Sequence, residues 1–210
     1  MYRIILASGS PRRKEIMNQM GIGFETVPSY VNEDIKESDP SKLVEALASV
    51  KAKEVAGRFA DERENLIIIG ADTVVYHKGQ VLGKPKDRDD AIRMLNGLSG
   101  DIHDVYTGVA IIIRRNKSDN ADINGEESIV FNVRTRVSVK LLSKEEIEDY
   151  VDSGEPYDKA GAYAIQGAFG IYIKEIQGDY YNVVGFPIAR IYEELLKKGI
   201  NIKKIKKGIA

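Results

Sequence analysis

Cysteine is absent from the 210 residues, and histidine occurs only at His77 and His103. Without a thiol there is no disulfide, no thiolate metal site and no cysteine nucleophile, and two histidines are too few for a histidine-rich metal cluster. Such a chain is compatible with a cytoplasmic location, which is the one expected. Long apolar runs are also missing. The opening "MYRIILASGS" is too short for a signal h-region, and no stretch reaches the ~18 apolar residues of a membrane span. No charge of one sign dominates, with 31 Lys plus Arg against 32 Asp plus Glu. No global basic field therefore argues for nucleic acid, and no acidic excess argues for a solvating tail. Any charge selectivity has to be local.

What is present suffices for a core. With 43% hydrophobic residues, residues 1–210 are expected to form a single domain with two lobes about a groove. Arg3 to Ala7 reads as a buried strand and Ser8 to Ser10 as a turn. Pro11 then suits the first helical position behind Ser10 as N-cap, with Gly21 as the stop. A second helix opens at Asp39 and Pro40 and runs along Leu43, Leu47, Val50 and Val55. Asn65 to Tyr76, apolar on both faces, reads as a central strand, and His77 to Gln80 as a hairpin turn. A helix from about Asp87 and two long strands, Val105 to Ile113 and Ile129 to Leu142, follow. The polar insertion between those strands, Arg114 to Ser128, reads as an exposed hairpin excursion. "SKEE" at Ser143 to Glu146 is a capping box that starts a helix ending near Gly154. Glu155 to Gly170 is too rich in glycine and alanine for a core strand and reads as a functional loop. A hairpin over Ile171 to Val184, a helix from about Pro187 and a lysine-rich end at Lys203 to Lys207 complete the chain. Interleaved but not strictly alternating elements predict an α/β fold with a mixed sheet flanked by helices.

Charged and hydroxyl groups gather at one junction. "SGSPRR", Ser8 to Arg13, puts two hydroxyls and two guanidiniums where a helix N-terminus presents unpaired N–H groups, an arrangement suited to phosphate. The alternative is that Ser10 only caps the helix while Arg12 and Arg13 lie in solvent. Asp72 ends a hydrophobic run, where it either caps a turn or stands at a strand's C-terminal edge, the place where open α/β sheets bind ligands. Glu33 and Asp34 sit in a polar connection and either are solvated or join Asp72 around a hard cation. Lys84 lies in "GKP" and Lys53 late on the second helix, and lysines in such places are most often solvated.

Taken together, "SGSPRR", "GADTVV", "GKP", "LSG" with "HDVYTGVA", "EPYDKAGAYAIQG" and "GDYYNVVGFP" resemble, in order and over nearly the full length, the Maf family of nucleoside triphosphate pyrophosphatases. The resemblance implies a Maf/ITPase-like fold with a deep cleft, often as a homodimer. It implies hydrolysis of a nucleoside triphosphate to the monophosphate and pyrophosphate with a divalent cation, Mg2+ or Mn2+. Carried over by position, Asp72 is the general base and, with Glu33, a metal carboxylate. Ser8, Ser10, Arg12, Arg13, Lys53 and Lys84 hold phosphates, and Arg12, Thr73 and Gln166 choose the base. "GADT" and "AIQG" resemble the branch acting on dTTP and UTP, with modified pyrimidine nucleotides as a variant guest. A buried amide can pair with a pyrimidine's donor and acceptor edge, and an unpaired group penalises the wrong base by about 1–3 kcal/mol. Two departures from the family pattern, the Arg114 to Ser128 insertion and Phe169 in "GAFG", are expected at dimer contacts or the mouth of the cleft. The rival expectation is a nucleotide-binding regulator of cell division or septum formation that needs no turnover.

Overall fold

The computed structural model describes residues 2–62, 64–116 and 125–205. In chain order the elements are β1 (Tyr2–Leu6), α1 (Pro11–Gln19), β2 (Glu25–Thr26), α2 (Pro40–Arg58), β3 (Asn65–His77), β4 (Gln80–Leu82), α3 (Arg88–Leu98), β5 (Ile102–Arg115), β6 (Gly125–Val139) and α4 (Lys144–Asp152). Short 3-10 turns between Glu155 and Tyr172 lead into β7 (Ile173–Gln177), α5 (Tyr180–Val184) and α6 (Ile188–Lys197). The seven strands form one mixed sheet in the order β2-β1-β3-β5-β6-β7, with β4 paired to β3. β1 runs parallel to β2 and β3, and the remaining pairs are antiparallel.

Alternation of side chains explains why β3 is apolar without a polar face. Leu66 and Ile68 pack with Ala48, Ala52 and Val55 of α2, while Ile67 and Ile69 pack on the opposite face with Ile16, Met17, Ile191 and Leu195 of α1 and α6. A third cluster, centred on Leu95, Leu98, Val105, Ile147 and Phe169, unites α3, α4 and the far ends of the long strands. The sheet thereby carries two packed regions along its length. No helix among the described residues is long and apolar enough to cross a membrane.

Most expected elements form, including the Ser143–Glu146 capping box. Four details differ. The buried stripe of α2 is Val44, Leu47, Ala48, Ala52 and Val55, and Leu43 and Val50 are only half-buried. The hairpin expected over Ile171 to Val184 is replaced by β7 on the edge of β6 and by α5, which Asp179 caps by accepting from the Tyr181 N–H. Phe169 is fully buried against Tyr150, Tyr163 and Tyr172 rather than at a surface mouth. The strands flanking the Arg114–Ser128 excursion run further than Ile113 and Ile129: β5 and β6 stay paired out to Arg115 and Gly125, and 117–124 lies outside the described residues. The lysine-rich end also passes outside them, at 206.

One irregularity prepares a site. The ladder of β1 on β3 ends at Leu6 and Ile69, and that of β4 on β3 begins at Val75 and Leu82. Between them, residues 70–74 of β3 have no strand beside them on that edge. Ligands of open α/β sheets enter at such interruptions beyond strand ends.

Candidate active site

Asp72 and Thr73 stand in this gap and, as neighbours on a strand, point to opposite faces. Asp72 shares the parity of Leu66 and Ile68 and so meets α2. There Lys51 Nζ contacts Asp72 Oδ1 at 2.6 Å and Glu33 Oε1 at 3.0 Å. The approach of α2 depends on two glycines. A Cβ at Gly70 would lie 2.5 Å from the Ala48 carbonyl oxygen, and one at Gly108 would lie 2.2 Å from that of Val44. Gly108 is the ladder partner of Asp72, so the helix is closest to the sheet beside the carboxylate.

Thr73 meets α1 on the other face. Arg13, buried, donates through Nε to the Gly185 carbonyl at 2.8 Å and through Nη1 to the Ala71 carbonyl at 2.8 Å and Ser8 Oγ at 3.0 Å. Its Nη2 donates to Thr73 Oγ1 at 3.2 Å. Four of the five guanidinium N–H groups are thus spent on protein acceptors, the Ala71 carbonyl being one that the missing strand leaves open. Burial lowers the Arg13 pKa from its ordinary value, with Asp72 opposing that shift. Arginine remains charged at neutral pH all the same.

Between these faces lies a cavity of about 800 Å³. Its wall carries five cations, Arg12, Arg13, Lys51, Lys84 and Lys159, against three carboxylates, Asp72, Glu33 and Asp158, in a chain whose net charge is −1. Lys159 is paired with Asp158 and holds that carboxyl below its usual range. Arg12 and Lys84 make no hydrogen bond or ion pair among the described residues, and the Ser10 hydroxyl does not cap α1 although Ser10 holds the N-cap position. Val74, Val105, Tyr163, Ile165 and Val184 supply an apolar wall. A polyanion with a flat heterocycle fits both halves of such a lining.

Of the residues singled out in the sequence, Asp72, Glu33, Lys84, Ser10, Arg12, Arg13, Thr73 and Gln166 line this one cavity. Two do not. Ser8 is buried beneath it, accepting from Arg13 and from the Ser10 N–H. Lys53 is exposed on α2, about 200° around the helix from Lys51, and Lys51 is the lysine that reaches Asp72. Lys51 escaped the sequence reading, and Asp158, Lys159 and Tyr163 lay within the loop read as functional without being singled out. For Lys51 the usable signal was its place beside Leu47 and Ala48 on the buried stripe.

No group of three or more His, Cys, Asp or Glu side chains is arranged to hold a metal among the described residues. Asp72 and Glu33 nevertheless offer hard oxygen donors that meet at a single ammonium. Magnesium is ordinarily held by one or two carboxylates together with the phosphates of its substrate, and this pair matches that habit.

A family model described as Maf-like protein matches residues 3–198. The chain belongs to the Maf family. It is 49% identical over 204 residues to the dTTP/UTP pyrophosphatase of Lachnoclostridium phytofermentans, covering 97% of this chain and 99% of that one. It is 48% identical to the dTTP/UTP pyrophosphatase of Agathobacter rectalis, covering 96% and 100%. Among solved structures it is similar to a nucleoside-triphosphatase / dITP/XTP pyrophosphatase from Mycobacterium abscessus, with 14% identity, 95% coverage of each chain and a TM-score of 0.39, too slight a likeness to bear on the Maf site.

Proposed function

We propose that this Maf protein hydrolyses dTTP and UTP between the α and β phosphates, releasing the monophosphate and pyrophosphate. The observation that carries this reading is the placement of Asp72 and Glu33 on Lys51 at the wall of a cavity where Arg12 and Lys84 are unpaired. Relatives of nearly equal length that carry the dTTP/UTP pyrophosphatase name support it.

Phosphoryl transfer asks a protein mainly for positioning and charge stabilisation. Lys51 engages one oxygen of Asp72 and leaves the other to orient water and take its proton. Arg12, Lys84 and the Ser10 hydroxyl receive phosphate oxygens and stabilise the departing pyrophosphate. Arg13 contributes its charge from beneath while its hydrogen bonds hold α1 to β3. Asp72 and Glu33 would hold a magnesium or manganese ion, which when bound polarises the phosphate. Gln166 is exposed at the cavity rim rather than buried, and offers its amide to a pyrimidine edge from there.

Product identification on a triphosphate panel tests the reading. Monophosphate plus pyrophosphate from dTTP and UTP is expected, and stepwise release of inorganic phosphate would refute it. Asp72→Asn is expected to abolish most turnover while keeping the fold by circular dichroism. Nucleotide binding by the wild type without any turnover would favour a regulator instead.

A further inference from the structure

A chain of hydroxyls runs inward from the cavity wall. Thr73 Oγ1 accepts from Arg13 Nη2 at 3.2 Å and lies 2.9 Å from Thr107 Oγ1. Thr107, with no exposed surface, donates to the Asn182 carbonyl at 3.0 Å. A hydroxyl has one proton. Thr107 gives its proton to a carbonyl that can only accept, since reversing it would set two oxygen lone pairs against each other in a dry interior. Between the two threonines the donor must therefore be Thr73. Its proton points away from the cavity, Arg13 occupies one of its lone pairs, and the single group left for a ligand is an acceptor.

Thymine and uracil have one donor on their pairing edge, N3–H, whereas cytosine has a lone pair at N3. We propose that Thr107, which touches no ligand, selects thymine and uracil over cytosine by fixing the proton of Thr73 so that Thr73 accepts from N3–H. The inference rests on the dTTP/UTP reading and adds a buried specificity residue to it. Asn182 anchors the relay. Its Nδ2 donates to the Val105 carbonyl and to Thr135 Oγ1, both at 3.0 Å, which keeps the receiving carbonyl in place.

The test compares kcat/KM for dTTP and dCTP in the wild type, Thr107→Val and Thr107→Ser, by pyrophosphate release. Valine keeps the shape and frees the Thr73 proton to turn toward the cavity, while serine keeps the relay. In Thr107→Val the preference for dTTP is expected to shrink at least about fivefold, with relative gain on dCTP, whereas Thr107→Ser retains it. An unchanged ratio in Thr107→Val overturns the proposal. A probe independent of any variant is N3-methylthymidine triphosphate, which lacks the donor. The wild type is expected to process it far more slowly than dTTP, and equal rates overturn the proposal. If the wild type hydrolyses neither dTTP nor UTP, the underlying reading fails first, and that outcome is distinguishable because it appears before any comparison of ratios.

Discussion

Lys51 sits between two carboxylates, 2.6 Å from Asp72 and 3.0 Å from Glu33, with its side chain only 13% exposed. Truncating it leaves two anions facing each other with no cation between them, so Lys51→Met is expected to lower kcat/KM by roughly 100-fold, the scale of removing one preorganised electrostatic group. Steady-state kinetics beside a circular dichroism control measure this, and Lys53→Met, on the exposed face, serves as the near-neutral comparison. Arg13 makes a different demand. Lysine cannot reproduce a planar fork that serves four acceptors, so Arg13→Lys is expected to cost about 1–3 kcal/mol of stability, read as a lower urea midpoint. At this scale residue type and chain neighbourhood marked Asp72 and Arg12, while Lys84 was marked only by the family resemblance. It could not tell Lys51 from Lys53, because that choice depends on which face of α2 the sheet covers.

The contact between α2 and the strands is made on backbone at Gly70 and Gly108. A methyl group at position 108 meets the Val44 carbonyl with no flexible side chain to yield, so Gly108→Ala is expected to destabilise by about 1–3 kcal/mol, as overpacking does. It should also depress turnover, since lifting α2 withdraws Lys51 from Asp72. Thermal melts and kcat on the same preparation check both. Elements with their own punctuation were legible: Ser143 with Glu146, Pro11 behind Ser10, and the turn at His77 to Gln80. α5 was not, because "YYNVV" suits a strand as well as a helix, and only the cap from Asp179 decides.

Across the whole molecule, a titration links the packed interior to the cavity. His103 is buried, its Nε2 is 2.7 Å from the Tyr163 hydroxyl and its Nδ1 has no hydrogen-bond partner among the described residues. Burial, with repulsion from His77, pushes its pKa down from 6.5 to about 4. The folded protein thus keeps this ring neutral where the unfolded chain takes up a proton. Stability is full above about pH 6.5 and falls as pH drops toward 4, by on the order of 3 kcal/mol over the window. Urea titrations at pH 7 and pH 4.5 measure the slope, and His103→Gln is expected to flatten it. The mixed sheet and the joining of distant segments into one cavity followed from the order of motifs in the chain. The break in the edge of β3 did not, because strand pairing is a relation between segments that no single stretch encodes.

A helix laid on bare main chain has a stand-off fixed by atomic radii, with no rotamers in between to relax. The wall bearing Asp72 is therefore as stiff as the peptide units that form it. New guests for this catalyst, whether reached by drift or by design, have to be accommodated from the opposite bank, where the short turns from Glu155 to Tyr172 supply part of the surface.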